Sequence, residues 1–116
     1  MATPIYSDSF ISQQGVIGDY HHGAVPPNTL FVVKTVTFYC DYSIGPVHCH
    51  FKDFASGATL VHAYGPLQDG PALIPLYYSF WGSLVMLPGT DFGFSITSPN
   101  FAAADCSCSG YYFNLP

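Results

Sequence analysis

Residues 72–97, ALIPLYYSFWGSLVMLPGTDFGFSIT, decide the fold of this chain. After the Pro88-Gly89 pair the pattern alternates strictly. Phe92, Phe94 and Ile96 fall on one face, and Asp91, Gly93, Ser95 and Thr97 on the other. Alternation of period two over seven residues marks a half-buried β-strand, and Pro-Gly marks the turn that leads into it. Before the turn both faces are apolar. Ile74, Leu76, Phe80, Leu84 and Met86 lie on one side, with Leu73, Tyr77, Trp81, Val85 and Leu87 on the other. A strand that is apolar on both faces is covered on both. In a chain of 116 residues the second cover is expected from another subunit.

Residues 70–90 carry no charge and reach membrane-spanning length. Pro71, Pro75, Gly82 and Pro88 interrupt the run, and its aromatics favour strand over helix. Membrane insertion is therefore not expected.

The composition agrees. Eleven Gly, 10 Pro and 17% aromatic residues, with no long segment bearing a helical apolar stripe, predict an all-β chain of short strands and many turns. Charged residues make up only 8%, far below the ~25% of an average soluble domain. All seven acids are Asp, and Lys34 and Lys52 are the only basic residues apart from histidine. So little charge with so much aromatic surface suits a protein covered in an assembly. The net charge of −5 and the missing basic cluster exclude nucleic acid as the expected partner. Met1-Ala2-Thr3-Pro4 has neither a basic nor an apolar leader region, so synthesis in a cytoplasm without a signal peptide is expected.

Working outward, residues 4–14 read as an edge strand or extended arm, and residues 15–29 as a loop punctuated by Gly15, Gly18, Gly23 and Pro26-Pro27. Residues 1–29 are thus expected as arm and loop, and 30–116 as the body of a single domain. Leu30–Cys40 reads as a strand with Leu30, Val32, Val36, Phe38 and Cys40 on its apolar face, Lys34 being the exception. Val47–Phe54 follows after a turn. An antiparallel hairpin pairing Phe38 with Phe51 sets Cys40 opposite Cys49, where a bridge fits if the Cα atoms come within about 7 Å. Thr59–Tyr64 makes the next strand, residues 98–104 an Ala-rich loop, and Cys108–Leu115 the last strand, with Gly110 as a candidate bulge. Roughly eight strands at such spacing predict an antiparallel β-sandwich, jelly-roll-like.

Chemistry-bearing motifs are sparse. His48 and His50 share a strand face, and His62 is near in sequence. Such a His-x-His pair on a sandwich is similar to the cupin metal site, but that site adds a Glu, and this chain has none. The reading taken is of half-exposed histidines on a solvent face, with His48, His50 and His62 as metal candidates and no cofactor expected. Cys106-x-Cys108 with Cys40 and Cys49 departs from zinc-site spacing, so four buried, reduced thiols are expected. There is no nucleophile elbow, phosphate loop or close carboxylate pair, and no enzyme is expected. Tyr77, Tyr78, Trp81, Tyr111 and Tyr112 fit a sugar-stacking platform, which makes a host surface glycan the alternative partner. Aromatics are more often core or interface. Tyr77, Phe80, Trp81, Val85 and Leu87 are the expected interface.

The strand Phe31-Val32-Val33-Lys34-Thr35-Val36-Thr37, the segment Phe80-Trp81-Gly82-Ser83-Leu84-Val85-Met86-Leu87-Pro88-Gly89 and the close Ser109-Gly110-Tyr111-Tyr112-Phe113 carry a resemblance. Over residues 30–115 the chain resembles small structural proteins of tailed bacteriophages, particularly those of actinobacterial hosts. That family often has Arg after the Trp, where Gly82 stands here. The resemblance implies a homo-oligomer, taken as a trimer. It would dock on a major capsid or tail protein at the virion exterior, as a capsid decoration or minor tail component.

Overall fold

The structure, a computed structural model, describes residues 7–14, 18–67, 72–99 and 102–116. The beginning of the expected arm at residues 4–6, Gly15 and the Asp69-Gly70-Pro71 turn lie outside them. Eight strands run in order: β1 (Ser7–Gln14), β2 (Gly18–Ala24), β3 (Thr29–Tyr42), β4 (Val47–Asp53), β5 (Thr59–Gly65), β6 (Ile74–Met86), β7 (Asp91–Thr97) and β8 (Ala102–Asn114). They form two four-stranded antiparallel sheets, β1-β8-β3-β6 and β2-β7-β4-β5.

The pairing follows one rule. β1 pairs β8, β2 pairs β7, β3 pairs β6 and β4 pairs β5. The chain is therefore one long hairpin whose tip is the β4–β5 turn, rolled so that successive strands alternate between sheets. That winding is a jelly roll. Every other connection crosses from one sheet to the other, including the Pro88-Gly89 turn, where Thr90 N–H donates to Leu87 O and Gly89 N–H to Val25 O.

This topology corrects the expected β3–β4 hairpin. β4 pairs with β5 and β7, never with β3, so Cys40 and Cys49 face each other across the sandwich and not along a ladder. A local turn such as 41–46 joins sheets as readily as it joins neighbours; hydrophobic matching of two faces cannot tell the two arrangements apart. Gly45 (φ +66°) is held there because a Cβ would press on Pro66 O and the Tyr42 ring, each at 2.8 Å.

β3 also differs from its sequence reading. Phe31 and Val33 are buried before Lys34, and Val36, Phe38, Cys40 and Tyr42 after it. Leu30 and Val32, expected inside, lie on the half-buried outer face. The ladder registers shift between Val33 and Thr35 against both neighbours, so Lys34 is the extra residue of a bulge. Its Nζ reaches Ser83 Oγ at 2.6 Å. The bulge lies in β3, and Gly110 of β8 lies opposite it, paired with Val33.

Two regions expected as loops are strands. Residues 18–24 form β2, and the Ala-rich run from 102 belongs to β8. Between the sheets the core closes on ring pairs such as Phe31–Phe92 (centroids 5.1 Å) and Phe38–Phe94 (5.9 Å, edge-on).

Asp53 ties the tip of the roll to β7. Its Oδ1 accepts the Ala55 and Asp91 N–H groups at 3.0 Å each, and its Oδ2 accepts the Ser56 hydroxyl at 2.9 Å. Burial alone would raise this carboxyl; the hydrogen bonds from Ser56, Ala55 and Asp91 outweigh it and hold the group below the usual carboxylate range. A depressed folded pKa stabilises the fold above the unfolded value of about 3.9, and the contribution is lost as pH falls through the folded value. We expect Asp53→Asn to lower stability by about 1–2 kcal/mol near neutrality, the figure reduced for partial solvation. In urea titrations the gap between wild type and variant should be constant above about pH 5 and close below about pH 4.

Candidate functional site

The face that leaves the roll unfinished is the outer side of β6. β6 is an edge strand, and its inward residues Ile74, Leu76, Phe80 and Leu84 pack partly on the core while Met86 is fully inside. The opposite face has no cover among the described residues. Tyr77 (67% exposed), Trp81 (77%), Val85 (58%) and Leu87 (63%) stand in solvent, and Leu73 (54%) extends the row. Of the five residues expected at an interface, four share this surface; Phe80 points the other way, into the sandwich.

Pairing in the sheet shows what continues the row. Val85 lies beside Val32, and Val32 beside Tyr111; Leu30 lies beside Phe113. One end of the outer face is therefore apolar across three strands. Its middle is a hydroxyl ladder, with Thr35 bonded to Ser109 and Thr37 to Ser79. Tyr77 packs edge-on against Tyr39 at 6.4 Å beyond it. The strand's free edge is blunted, because Pro75 has no N–H and Gly82-Ser83 fall in the register shift. The face is the available surface, not the edge.

The tyrosines do not form one platform. Tyr111 lies on the outer face, whereas Tyr112 stacks on the core residue Phe31 at 4.6 Å. Tyr77 and Tyr78 likewise point to opposite sides of β6.

The outer face of the other sheet is polar. His50 lies opposite His62 of β5 on one side and Ser95 of β7 on the other, and Ser95 lies opposite Asp19 of β2. The Ser95 hydroxyl donates to Asp19 Oδ1 at 2.6 Å. His48 Nδ1 is 3.0 Å from His62 Nε2, and one nitrogen of each of His48, His50 and His62 lies within 4.8 Å of the others. Partial burial, then the neighbouring His62, His48 and Lys52, push His50 below the ordinary imidazole value, against an opposing pull from Asp19. Beside His48 an open cleft of about 310 Å³ is lined by Pro46, Thr97, Ser98 and Pro99. The cupin comparison does not hold in space: the histidines face outward, and the interior is filled by apolar side chains.

All four cysteines are buried free thiols. The Cys49 thiol is pushed up by its hydrogen bond to Cys40 and by burial, and burial pushes Cys106 up to about 12. Among the described residues, three metal-ligating groups converge only at the histidines.

No family model and no curated protein matches the chain. Several solved structures are similar to it at low identity. One is a subunit of Bacillus endospore appendages, a family of disulfide-linked pili, at TM-score 0.44 and 11% identity, covering 100% of this chain and 92% of that one. Another is the virus-like particle of extra small virus from the giant freshwater prawn Macrobrachium rosenbergii, at TM-score 0.32 and 12% identity over 98% and 83%. A third is infectious bursal disease virus, Gt strain, at TM-score 0.30 and 12% identity, covering 99% of this chain and 32% of that one.

Two partners of the histidines escaped the sequence reading, Asp19 and Ser95. No local signal joins residues 19, 50, 62 and 95, since their row exists only once β2, β7, β4 and β5 align.

Proposed function

We propose that the chain is a non-enzymatic structural subunit of a particle exterior, a bacteriophage capsid decoration or minor tail component, that works by binding further copies of itself. The observation that carries this is the row Leu73, Tyr77, Trp81, Val85 and Leu87, exposed along an edge strand of an otherwise well-packed roll. Together these side chains offer on the order of 600 Å² of surface, at the top of the range for the largest patch on a monomer and approaching the ~800 Å² a stable partner covers.

The occupant we assign is a second copy of this chain. The five residues of the row carry no charge, so burial of apolar area is the driving force this patch offers. A closed trimer docked on a capsid or tail protein is the assembly that accords with the sequence resemblance. In the hydroxyl ladder beside the row, Thr35 and Ser109 bond to each other, as do Thr37 and Ser79, within the chain.

Trp81 is the sole tryptophan, which makes the proposal directly readable. Its emission should move to shorter wavelength, and its quenching by acrylamide should fall, as protein concentration rises through the association range. A tryptophan equally quenchable at every concentration, in a protein shown to be oligomeric, would place the interface elsewhere.

A further inference from the structure

We infer that His48, His50 and His62 form a binding site for a borderline divalent transition ion of the zinc type, on the face of the roll remote from the β6 surface. The strand geometry builds it. His48 and His50 are two residues apart on β4 and so project to one side, and His62 on β5 is the direct cross-strand partner of His50. The three rings lie nearly parallel, with centroid separations of 4.6, 5.2 and 6.0 Å.

The spacing suits a common ion. Zinc–imidazole bonds of about 2.0–2.1 Å in a tetrahedron set ligand nitrogens about 3.3 Å apart. His48 Nδ1 and His62 Nε2 are 3.0 Å apart already, and the third nitrogen is within 4.8 Å. Loading the site requires the three nitrogens to draw in from separations of up to 4.8 Å to that spacing. Thr59 Oγ1 lies 3.4 Å from His50 Nδ1, the position of an outer partner that orients the ring and leaves Nε2 for the ion. Three imidazoles without a carboxylate favour zinc, copper or nickel over calcium or magnesium. The open side of the cluster leaves a fourth position for water.

Imidazoles bind an ion through an unprotonated nitrogen, so protons compete with the ion for the cluster. Lys52, Asp19 and Tyr64 are the other ionisable groups around it; Lys52 opposes a cation and Asp19 attracts one. Without an ion, the close nitrogens of His48 and His62 are accommodated by a hydrogen bond between the two rings.

The test is calorimetric titration of the full chain with zinc chloride, at pH 7.5 and again at pH 5.5. The expected result is one zinc per chain at pH 7.5, no response to calcium, and strong loss of affinity at pH 5.5 as protons compete for the rings. His62→Ala and His48→Gln should each weaken binding by at least the ~10–100-fold that loss of even an outer partner costs. Because these side chains lie on the outer face, circular dichroism should show both variants folded. His22→Gln, on β2, should bind as the wild type does. Undiminished zinc affinity in His62→Ala and His48→Gln, or no binding at about 1 mM zinc, where any affinity tighter than about −4 kcal/mol would register, overturns the assignment.

Discussion

Replacing Gly110 with alanine is expected to collapse the sheet that carries β6. A Cβ at this position would overlap the Val32 carbonyl oxygen, with Val32 C at 2.9 Å and Val33 Cα at 3.0 Å. All three are backbone atoms of β3 at its bulge, so no side-chain rotation can make room. Relief requires β3 and β8 to separate where they pair from Thr29–Asn114 to Tyr42–Ala102, which is the central ladder of the sheet. Overpacking a rigid site costs about 1–3 kcal/mol, and a backbone clash belongs at or above the upper end of that range. Against a total of about 5–15 kcal/mol, a large share of the stability margin is at risk. Gly57→Ala is the useful contrast. It meets nothing within 4 Å, and its φ of +80° is its only obstacle, worth about 1–2 kcal/mol. Urea unfolding should rank wild type above Gly57→Ala and that variant well above Gly110→Ala. Equal midpoints for the two variants would mean that the β3 bulge yields freely.

Trp81→Ala is expected to act on association and to spare the fold. The indole is 77% exposed in the isolated chain, so its removal leaves no cavity. In an assembly the same side chain lies mid-row between Tyr77 and Val85, where tryptophans make the largest contributions to interfaces. A loss of about 2 kcal/mol or more corresponds to roughly 30-fold weaker association. The melting temperature of the dissociated chain should move little, since surface substitutions away from special features stay within about 0.5 kcal/mol. Val85→Asp places a charge in the same patch and should be more severe, because the carboxylate would be buried unpaired on assembly. Should either variant lower monomer stability and leave association intact, the row would have a structural role instead.

The two faces of β6 were legible in the sequence because alternation records which side meets the core, and here both sides were apolar. The strands β4, β5 and β7 were legible for the same reason. Three features were not. Lys34 looked like a misplaced charge on an apolar face; it is the extra residue of a bulge, and a one-residue insertion exchanges the inner and outer sets on either side of it. Residues 18–24, GDYHHGA, carry glycine and histidine where an apolar alternation would announce a strand, yet they form β2. An edge strand buries little, and its ladder to β7 holds it, with Gly93 of β7 lying against the Tyr20–His21 backbone. Cys40 and Cys49 were expected opposite each other in a hairpin, whereas β3 and β4 lie in different sheets and the two thiols meet across the sandwich.

The histidine cluster was half legible. The His48–His50 spacing gave one side of the site from sequence. Its completion by His62 depends on the β4–β5 register, and its setting beside Ser95 and Asp19 depends on the order of four strands. Long-range pairing of this kind is what local pattern does not encode.

The central claim is that the outer face of β6 is covered by another copy of this chain. The mass of the purified protein in solution, measured by light scattering over a range of concentrations, tests it most directly. The account predicts a closed oligomer, three chains in the preferred form, that shifts toward the 12.6 kDa monomer in Trp81→Ala. A wild-type protein that stays at 12.6 kDa throughout would contradict it.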